Sequence, residues 1–460
     1  MKSIVIGSGG REHAIAWALS ESPSISEVIC IPGNGGTAAE TKCRNVNIPV
    51  SETATVVDRC RKELAGLDDG SFVVVGPEDP LAAGISDRLA EAGLRVVGPR
   101  RAPAALEASK DTAKRFMAKY GVACAKSETF TEPLEAMAAV REINGPVVVK
   151  ADGLAAGKGV VVAADPETAV QAIRDFMVDG TLGGAGRKIV VEEYLEGDEI
   201  SILAAASVTP DFARGGKACV VPFVTARDHK RLRDGAEGPN TGGMGAIAPV
   251  PGIGDDVMAR FRSDILEPTL RGLVAEGFDY RGFIFFGLML TKDGPKLLEY
   301  NVRLGDPETQ AVLPLMNFDF AAMCAAIMDG TLASFPFSWK DGYVCAPVGV
   351  SRGYPGNYPK GIPISIDFAG VEASGARVFI AGATTDQRGA QRGSCCKGAA
   401  APVSGGLITS GGRVLAVSAH GASVEEARAR AYGAFESVSF DGMFYRRDIG
   451  LPGAAASKVM

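Results

Sequence analysis

Residues 147–163 read VVVKADGLAAGKGVVVA. A β-branched run closes on Lys150, a loop follows with Gly153, Gly157 and Gly159, and a second β-branched run leaves it. Run, glycine loop and run predict a hairpin flap. Residues without a side chain let backbone amides approach phosphate oxygens, while Lys150 and Lys158 supply positive charge. The order GxxxGKG followed by a strand is not that of a P-loop, where GxxxxGK precedes a serine or threonine and a helix, so the hydroxyl that a P-loop gives to magnesium is missing. The phosphate cradle expected here is a strand-loop-strand device in a mixed α+β unit.

Upstream, the runs IVIG, EVICIPG, FVVVGPE and LRVVGP alternate with the helical stretches REHAIAWALSES and LAAGISDRLAEAG. This grammar predicts an N-terminal α/β domain with a parallel sheet over residues 1–105. The strands end in GSGG, PGNGG, GPED and GP, so glycine-rich loops gather at their carboxyl ends, where open α/β sheets bind ligands. GSGG at 7–10 enters a helix whose free amides attract an anion. It fails as a dinucleotide fingerprint, because Glu12 stands at the third glycine position and the second strand does not end in an acidic residue.

Downstream, LEASKDTAKRFMAKYG at 106–121 reads as one helix, KIVVEEYLEGDEISILAAAS as strands, and 255–276 as a long amphipathic helix. The strands RGFIFFGLMLT and PKLLEYNVR, joined by KDG, predict a hairpin. On the second of them Glu299, Asn301 and Arg303 fall two apart and share one face. A carboxylate and an amide oxygen there can hold magnesium together with nucleotide phosphates, and the guanidinium can take a phosphoryl oxygen. In DHKRLRDGAEGPNTGGMGA at 228–246, cationic side chains precede glycines 242, 243 and 245, a local anion site suited to a small phosphorylated substrate. His229 there is read as structural rather than as a base. The remainder, 330–460, carries strands near 343–350, 376–381 and 413–419 and a final helix, and reads as a small α+β closing domain. Within it, 388–406 is a low-complexity insertion with no assigned function.

Composition narrows the choice. The 460 residues are 46% apolar and 22% charged, an ordinary globular balance that excludes a disordered chain and a membrane bundle. A net charge of −6 gives no overall positive field for nucleic acid or an anionic membrane. Nine cysteines without CxxC spacing suggest neither a disulfide framework nor structural zinc, so a reducing cytoplasm is expected. With only His13, His229 and His420, oxygen ligands and therefore magnesium are favoured. The start MKSIVIGSGGREH is too short for a signal-peptide core, and the apolar run FIFFGLML at 283–290 is too short to span a bilayer.

Taken together, GSGGREHA, PGNGGT, VVGPEDPL, LEASKDTAKRFM, VVVKADGLAAGKGVVVA, EEYLEGDE, DHKR, GPNTGGMGA, EYNVRLGDPETQ and TSGGRVLAV make the chain resemble, over nearly its whole length, the glycinamide ribonucleotide synthetase family of the ATP-grasp superfamily. The resemblance implies an N-terminal (pre-ATP-grasp) domain that binds phosphoribosylamine, a two-lobed ATP-grasp core over 106–329 with its flap at about 124–196, and the C-terminal domain. It implies nucleotide contacts from Lys110, Lys150, Gly153, Gly157, Lys158 and Gly159, an adenine edge along Glu192, Glu193, Tyr194 and Leu195, and a ribose contact from Glu199. Glu299 and Asn301 match metal ligands for Mg2+ or Mn2+. Gly9, Gly10, Asp228, Lys230, Asn240, Gly242, Gly243, Arg303 and Asp306 fall in motifs expected around the substrates, with Arg303, Lys150 and Asp228 expected to act in catalysis.

The implied reaction ligates glycine to 5-phosphoribosylamine at the expense of ATP, through glycyl phosphate, in purine biosynthesis. The implied partners are small molecules only, and the expected assembly is a monomer or weak dimer. Arg227 departs from the glutamine usual before DHK, which bears on contacts to the sugar phosphate. A different ATP-dependent carboxylate–amine ligase, a nicotinamide-linked dehydrogenase and a catalytically silent binding protein are the alternatives.

Overall fold

Alternating apolar runs and helices at the N-terminus fold as a five-stranded parallel sheet. Its strands are β1 (Lys2–Gly7), β2 (Glu27–Pro32), β3 (Cys43–Asn45), β4 (Phe72–Val75) and β5 (Arg95–Val97), in the order β3-β2-β1-β4-β5. Helices cover the sheet, and β4 is buried along its whole length, which is why these strands read as unbroken apolar runs. The short edge strand β3, of sequence CRN and only half-buried, has no such signature. Strand order reverses at β1, so the loops leaving β1 and β4 face each other across a topological switch point, the usual ligand crevice of such sheets. This computed structural model describes residues 1–67, 70–155, 158–210, 217–386 and 406–454. The insertion read at 388–406 lies, but for its last residue, outside them, as does Gly157.

The helix expected over 106–121 is two helices, Arg101–Ala108 and Lys110–Tyr120. Ser109 breaks them: its backbone is extended and its side chain accepts the Thr112 N–H, an N-cap that starts the second helix afresh. Next comes the flap sheet, β6 (Ser127–Phe130), β7 (Val147–Ala151), β8 (Val160–Ala163) and β9 (Ile189–Glu193), antiparallel throughout in the order β6-β9-β7-β8. Helices Pro133–Ile143 and Pro166–Ile173 cover one face, giving this lobe its own core around Val147, Val149, Val140 and Ile173.

The remaining strands are β10 (Asp198–Val208), β11 (Cys219–Asp228), β12 (Arg231–Arg233), β13 (Glu237–Asn240), β14 (Gly245–Ala248), β15 (Tyr280–Thr291), β16 (Gly294–Asn301), β17 (Tyr343–Val350), β18 (Pro363–Ile366), β19 (Ala376–Ile380), β20 (Ala383–Thr385), β21 (Leu407–Thr409), β22 (Arg413–Gly421) and β23 (Val438–Phe440). Eight of them form one sheet, β16-β15-β10-β11-β14-β17-β22-β19, so the β14–β17 pair carries hydrogen bonding from the central lobe straight into the C-terminal region. The expected β15–β16 hairpin is present. Phe283, Phe286 and Leu288 of β15 are buried, each contributing roughly 2 kcal/mol through burial.

The helical stretch near 255–276 also forms, with a wider turn at Arg262–Leu266. Pro268 has no N–H to offer the Asp264 carbonyl, which accepts the Ala123 N–H at 2.9 Å instead. That bond ties the helix to the start of the flap.

Candidate active site

β16 is an edge strand with a bulge: Glu299 pairs with Gly287 and Leu297 with Leu288, leaving Leu298 unpaired. The freed Leu298 carbonyl accepts from Lys150 Nζ at 3.3 Å. The lysine that precedes the flap loop therefore reaches the large lobe directly. Gly287 keeps room for the acid, since a Cβ there would stand 3.3 Å from Glu299 Cγ. Burial pushes the Glu299 carboxyl up, but Lys230, Lys110, Lys150 and Arg303 together hold it below the usual carboxylate range. Those four cations come from four separate segments and converge on one acid.

Lys150 has a second partner. Glu192 takes Lys150 Nζ on Oε1 at 3.0 Å and Lys114 Nζ on Oε2 at 3.2 Å, and all three side chains are buried. Lys114 is absent from the residues chosen on sequence, although its four-residue spacing from Lys110 puts both on one helix face. Beyond Glu192, the Glu193 N–H donates to the Lys126 carbonyl at 3.0 Å and Glu193 Oε1 accepts the Lys126 N–H at 2.9 Å. Tyr194 and Leu195 then run half-buried into β10. On β10 the Glu199 carboxylate pairs with Lys230, and its carbonyl accepts from Arg227 Nε at 3.2 Å. Arg227 thus bonds the two strands together here.

The other half of the site is built around glycines. Glu12 Oε2 accepts the Gly9 N–H at 2.6 Å while Oε1 pairs with Arg11 Nε at 2.6 Å. A Cβ at Gly7 would stand 2.5 Å from Glu12 Cγ, and one at Gly76 would overlap Oε1. Glu12 therefore fills the cradle under the GSGG loop, where a dinucleotide pyrophosphate would need space. Gly9 lies against Asp306, with 3.2 Å from its built Cβ to Oδ2, and Gly10 against the Gln310 side chain. Arg413 donates to the Asp306 carbonyl at 2.7 Å and to the Gly242 carbonyl, while the Gly242 N–H donates to Tyr354 Oη at 2.8 Å. At Gly243, φ is +115° and a Cβ would stand 2.6 Å from Asp228 Oδ1, so only glycine fits. Asp228 faces Glu308; burial first, then that second carboxyl, push its proton affinity well up. Glu308 accepts from Ser201 Oγ at 3.0 Å.

Known proteins match this chain along most of its length. Models of phosphoribosylglycinamide synthetase match as the N domain over 1–107, the ATP-grasp (A) domain over 108–309 and the C domain over 344–452. The chain belongs to the phosphoribosylglycinamide synthetase family. A phosphoribosylamine–glycine ligase of Clostridium acetobutylicum is 46% identical over 98% of this chain and 99% of its own length. The crystal structure of the ligase of that name from Thermotoga maritima is 34% identical, with a TM-score of 0.78 over 98% of this chain and all of that one. A biotin carboxylase domain from Hydrogenobacter thermophilus shares the fold alone, at 16% identity and a TM-score of 0.65 over 96% of this chain and 91% of that one.

The architecture of the family is therefore that of this chain: an N-terminal parallel sheet, a two-lobed ATP-grasp core and a C-terminal domain. ATP-grasp enzymes use ATP with a divalent metal. Glu299 lies among the convergent cations and Asn301 Oδ1 accepts from one of them, Arg303, and the described residues contain no cluster of three or more His, Cys, Asp or Glu that could hold a metal alone. Two such oxygens on one strand would suit a cation that completes its shell with nucleotide phosphates and water.

Arg303 leaves β16 but stays beside it. Its Nη2 donates to Asn301 Oδ1 at 3.0 Å and pairs with Glu107 Oε1 at 2.8 Å, while Nε lies 3.3 Å from Glu78. Sequence alone shows neither carboxylate as its partner. Glu78 also meets Arg11 at 3.7 Å; against burial, Arg303 and Arg11 bring the Glu78 carboxyl down to about 2. Asn240 and flap residue Lys158 line one cleft of about 620 Å³ with Arg233, Tyr354 and Pro355. In the flap loop, the Gly153 N–H donates to the Ala185 carbonyl at 3.3 Å and the Gly159 carbonyl accepts the Ala151 N–H at 2.7 Å. His229 is buried, donating from Nδ1 to the Gly245 carbonyl and accepting the Gly450 N–H at Nε2, both at 3.2 Å, in keeping with a structural role.

Proposed function

We propose that the chain ligates glycine to 5-phospho-D-ribosylamine with cleavage of ATP to ADP and phosphate, the glycinamide ribonucleotide-forming step of purine biosynthesis. The observation that carries this reading is the convergence of Lys110, Lys150, Lys230 and Arg303 on Glu299, beside the glycine loops at 9–10 and 242–243. Such a field suits a triphosphate tail and a phosphorylated sugar held side by side.

A glycine carboxylate is a poor electrophile, so in the proposed sequence its oxygen takes the γ-phosphoryl group of ATP in line, giving glycyl phosphate and ADP. The amine of phosphoribosylamine then attacks the acyl carbon and expels phosphate. No side-chain nucleophile is required. Lys110 and Lys150 hold the nucleotide phosphates, and Lys158 closes over them with the flap. The segment Glu192–Leu195 offers the adenine edge and Glu199 the ribose contact, exchanging its bond to Lys230 for the sugar. Gly153 and Gly159 let the flap backbone close on the phosphates.

On the substrate side, Gly9, Gly10, Lys230, Asn240, Gly242, Gly243, Arg303 and Asp306 surround phosphoribosylamine and the acyl phosphate. Asp228, made more basic by burial beside Glu308, takes the proton that the amine loses. Glu299 and Asn301 would hold a divalent cation, magnesium or manganese, which would supply Lewis-acid stabilisation of the phosphoryl charge. No described helix is long and apolar enough to cross a membrane, and the proposed setting is the cytoplasm.

The test mixes purified chain with ATP, magnesium, glycine and freshly made phosphoribosylamine and follows ADP release. Release that needs both glycine and the phosphorylated amine supports the reading. Equal release with unrelated amines would replace it with a broader carboxylate–amine ligase.

A further inference from the structure

Asn301 is the last residue of the edge strand β16, where the next backbone N–H has no neighbouring strand to accept it. Glu107, at the end of helix Arg101–Ala108 and only 8% exposed, supplies that acceptor: its Oε2 takes the Val302 N–H at 2.7 Å. Its other oxygen takes Arg303 Nη2 at 2.8 Å, and the same nitrogen donates to Asn301 Oδ1 at 3.0 Å. One buried carboxylate thus fixes the backbone after Asn301 and, through a guanidinium that can only donate, the atom Asn301 presents. Because Nη2 demands an acceptor, Oδ1 and not Nδ2 must lie beside it, with its second lone pair left for a cation. Glu107 itself is turned towards Val302 and Arg303.

We infer that Glu107 is a positioning residue for divalent-cation binding, acting through Arg303 and the Val302 amide to hold the Asn301 amide oxygen in its ligating orientation. This rests on the proposed reading of Glu299 and Asn301 as metal ligands. Glutamine at 107 keeps the volume but offers one acceptor where two donors converge, so either the amide or the guanidinium loses its partner. Partners that orient a metal ligand typically govern affinity by tenfold or more.

The test titrates Mn2+ into the full chain carrying one equivalent of ADP and counts free Mn2+ by electron paramagnetic resonance against a protein-free ADP blank, in the wild type, E107Q and E299A, with metal-free ADP affinity measured in parallel. The expected result is Mn2+ binding abolished in E299A and weakened about tenfold in E107Q, with metal-free ADP affinity unchanged in E107Q. Wild-type Mn2+ affinity in E107Q together with loss in E299A overturns the role of Glu107 and leaves the metal ligands standing. Unchanged binding in E299A overturns both. If E107Q fails to fold, E107D, which keeps the charge but cannot reach both donors, is read by the same outcomes.

Discussion

Lys150 and Lys114 share the carboxylate of Glu192, at 3.0 Å and 3.2 Å, inside a site from which solvent is nearly excluded. Two ammonium groups on one carboxylate leave a net positive charge at the junction of the flap and the helix carrying Lys110. Backbone carbonyls share the load: Leu298 accepts from Lys150 at 3.3 Å and Ala125 from Lys114 at 3.2 Å. The surplus charge suits the phosphate contact proposed for Lys150.

Removing the acid should therefore cost more than removing either base. Glu192→Leu leaves two buried cations facing each other and is expected to lower stability by ~3–5 kcal/mol, whereas Lys114→Met leaves a matched Lys150–Glu192 pair and costs less. Urea unfolding of the two variants checks the order. Equal losses would mean that the shared carboxylate is not what holds the pair.

Much of this site is legible in the sequence, and what is not has a common cause. The placement of Glu299 and Asn301 two apart on one strand is legible because alternation is local, and their proposed metal role rests on it. Gly153, Gly159 and GSGG stand out because a loop suited to phosphate would write its requirement into consecutive residues, and their phosphate contacts belong to the proposed function. Glu107, Glu308 and Arg413 are missed because their partners are remote: Glu107 meets Val302 across 195 residues and Arg413 meets Gly242 across 171. Ser109 splits an apparently continuous helix because an N-cap hydrogen bond outweighs a pattern that periodicity alone carries through. The bulge at Leu298 likewise leaves no mark in the sequence, yet it is what turns a carbonyl towards Lys150.

Glu299→Ala should stop ADP formation while leaving the fold intact. The acid is balanced by Lys230, Lys110, Lys150 and Arg303, so its loss removes the anion that draws these cations together and one proposed metal ligand at once. A fall in turnover of at least ~100-fold is expected, on the scale of losing a principal electrostatic stabiliser. Turnover is followed by coupled ADP assay and the fold by circular dichroism. Near-normal turnover with a native spectrum would refute the role of Glu299.

Gly76→Ala tests whether Glu12 is the filler of the GSGG cradle. An added Cβ at 76 would overlap Glu12 Oε1, which cannot retreat without giving up Arg11 at 2.6 Å and, through its other oxygen, the Gly9 N–H at 2.6 Å. A loss of ~1–3 kcal/mol is expected from overpacking. Because the GSGG loop abuts Asp306, the KM for phosphoribosylamine should rise while that for ATP stays close to normal. A variant as stable as the parent would show that Glu12 has room elsewhere.

His229 gives a pH signature independent of turnover. Burial first, then the nearby Arg446 guanidinium, bring its imidazole down to about 3 in the folded chain, and Nε2 must stay unprotonated to accept the Gly450 N–H. In the unfolded chain the ring titrates near 6.5, at about the ordinary histidine value. Between these values the unfolded state binds the extra proton and the folded state does not, so stability rises with pH across the window. The contribution is fully present above about 6.5 and is lost as pH falls towards 3, at up to ~1.4 kcal/mol per pH unit from this residue. Urea unfolding of the parent and of His229→Gln between pH 7 and pH 4 should show a steeper decline in the parent. Nitrogen-15 resonances of the folded ring should stay at their neutral positions across that range. A ring that protonates with a midpoint near 6.5 in the folded chain would show that it is open to water.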